Sequence, residues 1–279
     1  MTTHSTQLER SPVIAFIGGG NMASAIIGGL IASGLPAANI RVVEPFEAAR
    51  DTLQAKFGID ALPAASAALD AADLVVWAVK PQTFKDAASA AAPHTAQALH
   101  LSVAAGITTD SIAQWLGTGR IVRAMPNTPA LVGKGMTGLF ARPEVDAGGQ
   151  ALIERVIGTT GQLVWVDGEA KLDAVTALSG SGPAYVFLLL EAMTQAGVDM
   201  GLTAEQAYQM AVATFQGASE LAARSDEPAS VLRERVTSKG GTTYAAITHM
   251  QQAGLPQTFI AALRKAEARA QELAQEFGR

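Results

Sequence analysis

Between residues 12 and about 166, short dense apolar runs alternate with segments whose apolar residues recur about every 3.6 positions. Such alternation marks βαβ units and a mainly parallel sheet. The runs at 13–17, 40–43, 74–79, 99–103 and 121–124 are rich in large or β-branched apolar residues and read as strands buried on both faces. Helices are expected at 21–33 and 46–57, because Gly34 and Gly58 follow the last periodic residue of each. A helix near 145–157, between β-type stretches at 138–141 and 163–166, completes the sheet. After Asp167 the strands stop, and helical periodicity predicts helices at 171–178, 184–199, 204–223, 229–236, 243–252 and 257–277. Thr203 and Gln206 have the spacing of a capping box. Residues 184–190 are apolar all round and must be buried against something. The expected division is an α/β domain at 1–167, with 1–11 as a flexible tail, followed by an all-α domain at 168–279.

Composition sharpens this picture. The chain has 279 residues, enough for two domains without disulfides. Charged residues are 16% of it, against about 25% in a typical protein, and hydrophobic residues are 49%, so large interfaces and a homo-oligomer are expected. The net charge is −5 with no basic block, which argues against a nucleic-acid partner. There is no cysteine, which removes thiol chemistry and fits a reducing compartment. The first twelve residues lack an apolar signal-type core, and no unbroken apolar stretch approaches the roughly 18 residues that cross a bilayer. A cytoplasmic protein with no membrane partner and no metal site is expected.

The most informative local pattern is G-x-G-x-x-A. Gly18, Gly20 and Ala23 stand after the first strand and before the first helix, with Gly19, Asn21 and Met22 between them. The first glycine permits a tight turn, and the second lets backbone approach a pyrophosphate. The small third residue lets helix lie close on strand, and the helix N-terminus adds partial positive charge. A doubly wound, dinucleotide-binding Rossmann domain follows. Glu44 closes the second strand, 24 positions after Gly20, where a carboxylate accepts from ribose hydroxyls and repels a 2′-phosphate, favouring NADH. Arg41 and Arg50 are near enough in sequence to favour NADPH instead, and Pro45 could turn Glu44 away. Both cofactors stay open.

Ligands of open α/β sheets lie at the carboxyl ends of the strands. At those ends the sequence places Val79-Lys80-Pro81, Ala104-Ala105-Gly106 and Met125-Pro126-Asn127-Thr128-Pro129. Together with Ala177-Leu178-Ser179-Gly180-Ser181-Gly182-Pro183-Ala184-Tyr185 and Val236-Thr237-Ser238-Lys239-Gly240-Gly241-Thr242-Thr243, these segments resemble the pyrroline-5-carboxylate reductases. The resemblance runs from Val13 to the last helix. It implies a Rossmann domain, an all-helical dimerisation domain with intertwined helices, and assembly as dimers or rings of dimers. It also implies NADPH, sometimes NADH, reducing 1-pyrroline-5-carboxylate to L-proline, the last step of proline biosynthesis. Carried over by position, Gly18 to Ala23 hold the pyrophosphate, Val79, Lys80 and Pro81 lie along the nicotinamide ribose, and Ala104 and Ala105 border the ring. Ser238 and the backbone of Gly240, Gly241 and Thr242 take the substrate carboxylate, and Thr243 faces the ring nitrogen. The family usually has proline at the position of Lys239 and often asparagine near Ala65, so the loop's rigidity and the adenine contacts are unassigned.

An iminium needs no strong acid beside it, only a hydrogen-bonding hydroxyl and a pocket that tolerates a cation, and Thr243 suits that role. Gly240-Gly241 before Thr242-Thr243 is a second anion-binding turn at a helix start. His249 lies six residues on, about 240° around a helix from Thr243, and is expected at a surface or interface. Lys239 adds charge there or is solvated, and Lys80 pairs cofactor phosphates or contributes mostly backbone. The segment 179–183 either breaks a helix to line a pocket or joins two helices. Two rivals remain: a hydroxyacid dehydrogenase relying on Lys171, and a dinucleotide-sensing protein without turnover.

Overall fold

Four consecutive buried residues make each of the first strands, β1 (Ile14–Ile17), β2 (Ile40–Val43), β3 (Leu74–Trp77) and β4 (Leu99–Ser102); only Arg41 in β2 is half-buried. With β5 (Ile121–Met125), β6 (Gly135–Ala141) and β7 (Gly161–Trp165) they form one seven-stranded sheet in the order β2-β1-β3-β4-β5-β6-β7. This is a computed structural model, which describes residues 10–277. Residues 1–9 of the expected tail lie outside the described residues. Its last two positions are anchored: the Arg10 guanidinium donates to both oxygens of Asp73 at 2.7 and 2.9 Å, and the Asn39 amide donates to the Ser11 carbonyl at 3.0 Å.

Every strand pairing is parallel except β5 with β6. The exception has a simple cause. Only nine residues, 126–134, join these strands, fewer than a parallel crossover needs, and the 3₁₀ turn Thr128–Val132 reverses the chain instead. Alternate strand residues feed two cores. Ile14, Phe16, Leu74, Val76, Leu99 and Leu101 face helices α1 (Asn21–Ala32) and α5 (Ala147–Gly158). On the other side Ala15, Ile17, Val75 and Trp77 face α3 (Pro81–Thr95) and α4 (Thr109–Leu116). The second expected helix is α2 (Glu47–Phe57), closed by Gly58 at φ +67. The sheet is thus doubly wound, with its order reversing between β1 and β3.

Contacts divide the described chain into two units, residues 10–180 with 267–277, and residues 181–266. The strand pattern ends near 167, but α6 (Lys171–Val175) and the π-helical turn Thr176–Gly180 lie with the sheet: Leu172 is buried, and Val175 fills the space a side chain on Gly138 would need. The final helix, α11 (Leu255–Phe277), places its last residues in this unit, where Phe277 joins the core.

The second unit is all-helical: α7 (Gly182–Asp199), α8 (Ala204–Ala223), α9 (Ala229–Arg235), α10 (Thr242–Gln252) and the first half of α11. Thr203 and Gln206 form the capping box at α8, each side chain bonding the other's backbone N–H. The expectation that 184–190 is buried fails within the chain. Leu190 is buried, but Phe187 is 57% and Leu188 65% exposed, because α8 covers only one side of α7. The helical run Lys171–Asp199 is also long and apolar enough to cross a membrane by length and composition. A search for unbroken apolar residues misses it because Ser179–Gly182 interrupts the run.

Candidate active site

The turn after β1 sits where the sheet order reverses, at the carboxyl ends of the parallel strands. Gly18 has φ +96, and a Cβ there would lie 2.6 Å from the Ala78 carbonyl oxygen, so only glycine fits. Its N–H donates to the Val43 carbonyl at 2.8 Å, tying the turn to β2. Gly20 caps α1 without a side chain, is exposed, and has open space where a Cβ would point. Ala23 is fully buried against the sheet. The first turn of α1 therefore offers its N–H groups, with no acidic residue among them, to an anion. A pyrophosphate fits this cradle.

Glu44 is turned inward and 7% exposed. One carboxylate oxygen accepts from the Gly19 N–H at 2.8 Å, the other from the Phe46 N–H at 3.0 Å. These bonds use two of its roughly four lone-pair sites. The two arginines raised by the sequence separate cleanly. Arg41 bonds the Ala38 and Ile40 carbonyls at the opposite end of β2, whereas Arg50 bonds the Glu44 and Pro45 carbonyls at 3.1 and 2.7 Å. Arg50 therefore stands at the same end of β2 as Glu44, and Arg41 does not.

Further along the strand ends, Lys80 caps α3 with its carbonyl, which accepts from the backbone and hydroxyl of Thr83, while Pro81 takes the first helical position. The Lys80 side chain is exposed, and Val79 is half-buried. In the loop after β4, Ala104 is buried and Ala105 exposed. Asn127 stands in the sequence only as one member of a strand-end motif. Its amide donates to the Ser179 carbonyl and hydroxyl, both at 3.2 Å, and its oxygen accepts from the Met136 N–H at 2.9 Å. It thereby ties the π-helical turn to both strands beside it. Such turns cluster at functional sites.

Another group was invisible to sequence reasoning. Glu169 accepts from the Arg123 guanidinium at 3.0 Å and from the Thr109 N–H and hydroxyl at 2.7 and 2.6 Å. Nearby, burial pushes the Asp173 carboxyl above its ordinary range. Arg123 opposes that shift, and Glu169 and Glu267 add to it. Lys171, the residue a hydroxyacid dehydrogenase would need, is exposed and paired with Asp167 at 2.6 Å. That pairing holds the Asp167 carboxyl below its usual range.

In the helical unit, Gly240 has φ +77 and Gly241 caps α10. The Gly241 N–H donates to the Ser238 carbonyl at 3.0 Å, and a Cβ on Gly241 would meet the Ser238 hydroxyl at 2.7 Å. Ser238, Gly240, Gly241, Thr242 and Thr243 thus form one tight turn whose cap residue has no side chain to occupy the helix N–H groups. Lys239 and His249 are exposed and Thr243 is half-buried.

Doubly wound sheet, glycine turn at the switch point and appended helical unit together define a nicotinamide-dinucleotide oxidoreductase. A family profile described as NADP oxidoreductase coenzyme F420-dependent matches residues 13–106, and one described as pyrroline-5-carboxylate reductase dimerisation matches residues 169–273. The pyrroline-5-carboxylate reductase of Pseudomonas aeruginosa is 45% identical over 270 residues, 96% of this chain and 99% of its own. The solved pyrroline-5-carboxylate reductase of Coxiella burnetii is 40% identical, with TM-score 0.89 over 95% of this chain and 99% of its own. The Plasmodium falciparum enzyme, solved with NADP bound, is 25% identical, with TM-score 0.83 over 94% and 98%. The chain belongs to the pyrroline-5-carboxylate reductase family.

Proposed function

We propose that the chain reduces the C=N bond of 1-pyrroline-5-carboxylate to L-proline, the step that completes proline biosynthesis. The near full-length 45% identity to a reductase of that name carries the reading, and the glycine turn at Gly18–Gly20, with open space at Gly20, supports it. Bound NAD(P)H supplies the hydride for the imine carbon. Gly18, Gly19, Gly20, Asn21, Met22 and Ala23 hold the pyrophosphate, Glu44 meets the adenine ribose, and Val79, Lys80 and Pro81 line the nicotinamide ribose. Ala104 and Ala105 border the ring. Ser238 with the backbone of Gly240, Gly241 and Thr242 holds the substrate carboxylate, and Thr243 hydrogen-bonds the ring nitrogen, which arrives protonated and needs no general acid.

The exposed apolar face of α7 is the surface a second copy covers, in a dimer or a ring of dimers; the dimerisation profile spans it. That occupant also accounts for the membrane-like character of 171–199. The absence of thiols fits a cytoplasmic enzyme. The domain limits that suit this reading are 1–167 for cofactor and 168–279 for substrate and dimerisation.

Mixing purified protein, NAD(P)H and pyrroline-5-carboxylate should lower cofactor absorbance and produce proline; absence of turnover across pH would favour a sensing protein instead. Thr243→Ala should cut kcat by about tenfold or more while cofactor binding changes little. An unaltered kcat would remove Thr243 from the mechanism.

A further inference from the structure

We infer that Glu169 is a positioning residue for the shelf that borders the nicotinamide ring, acting through Thr109 and the loop after β4. The inference rests on the proposed reductase reading. Thr109 is the first residue of α4 and is 2% exposed. That helix already has a local cap, since the Thr108 hydroxyl accepts from the Ser111 N–H at 3.2 Å. The bonds from Thr109 to a carboxylate 60 residues away therefore exceed what the helix start requires. Their effect is to fix where α4 begins relative to the turn before α6. Arg123, 4% exposed, completes the clamp from β5, two residues before the strand ends at Met125.

The loop so fixed has little freedom of its own. Ala104 is buried, and its N–H donates to the Ser102 hydroxyl oxygen at 3.3 Å. Gly106 adopts φ +74 with α11 beneath it, its absent Cβ 3.4 Å from Leu273. Within 102–107 only Ala105 is exposed. Small displacements of α4 would thus be transmitted to Ala104 and Ala105, the pair that borders the ring. A charged clamp is suited to such positioning, because buried ion pairs add little net stability over apolar packing but make directional bonds. Misplacing reacting groups by about 1 Å costs on the order of a hundredfold in rate.

The test uses full-length enzyme with 4-deuterated and ordinary NADPH. Glu169→Gln keeps one acceptor oxygen and loses the charge. It should lower kcat by about tenfold, leave both KM values within about twofold, and enlarge the deuterium isotope effect as hydride transfer becomes slower than product release. Thr109→Val removes one of the three bonds; it should lower kcat by about threefold and be non-additive with Glu169→Gln. Should Glu169→Gln fail to fold, Thr109→Val carries the test through the isotope effect. A kcat within twofold of the parent, an unchanged isotope effect with a lowered melting point, or additive effects would overturn the inference. Wild-type enzyme without turnover would defeat the reductase reading itself, a separate outcome.

Discussion

Replacing Glu44 tests whether one carboxylate both braces the phosphate-binding turn and sets cofactor choice. Its two bonds go to backbone N–H groups, that of Gly19 buried and that of Phe46 half-buried. A hydrogen bond to a charged group contributes about 1.5–3 kcal/mol, with buried examples towards the upper end. Glu44→Ala leaves both donors without an acceptor and should cost about 3–4 kcal/mol, whereas Glu44→Gln retains one acceptor oxygen and should cost about half that. At roughly 2–4 °C per kcal/mol for a unit of this size, the alanine variant should melt about 6–15 °C lower, measured at fixed protein concentration because the proposed assembly into dimers would make melting concentration-dependent. The kinetic consequence has an independent sign. Removing a negative charge from the ribose end weakens repulsion of a 2′-phosphate while Arg50 stays in place. The NADPH-to-NADH ratio of kcat/KM should rise by about tenfold for Glu44→Gln, worth about 1.4 kcal/mol. Melting within about 2 °C of the parent together with an unchanged ratio would refute both roles.

Two further outcomes are set by burial and close approach. Burial, aided by Arg120, lowers His100 to about 4, and Trp77 donates to its Nδ1 at 3.1 Å. The unfolded chain, with an ordinary value near 6.5, binds more protons between those limits, so stability falls as pH drops from 6.5 to 4, by about 3 kcal/mol in all. His100→Gln should flatten that part of the denaturation profile; an equally steep profile would exclude His100 as its source. Gly18→Ala should abolish measurable NAD(P)H binding and destabilise by more than about 2 kcal/mol, since the methyl meets a carbonyl at positive φ; a normally binding variant, by fluorescence titration, would show that the turn shifts freely.

Local order was legible in the sequence wherever neighbouring residues decide it. The strand at 14–17, the glycine turn and α1 follow from apolar runs, conformational freedom at Gly18 and a small residue at Ala23. The capping box at Thr203 and the turn before Thr243 were equally local. The end of α3 is not legible in the sequence, because the stretch 87–92 is mostly alanine and gives little amphipathic contrast, and Pro93 lies inside the helix; Pro81 at its start and Thr108 and Gly117 around α4 are local signals. The antiparallel direction of β6 is equally hidden, because periodicity carries no strand direction.

What the tertiary structure alone decided are the partnerships across long separations. Glu44 faces the Gly19 N–H, Asn127 reaches Ser179, and Glu169 joins Thr109 to Arg123, over separations of 25 to 60 residues. A side chain's type fixes what it is able to bond, whereas only the packed sheet fixes which donors come within reach. The same holds for α7. Sequence established that its apolar girth requires cover, and the fold established that its own chain leaves Phe187 and Leu188 uncovered, because one neighbouring helix spans only part of a helix's circumference.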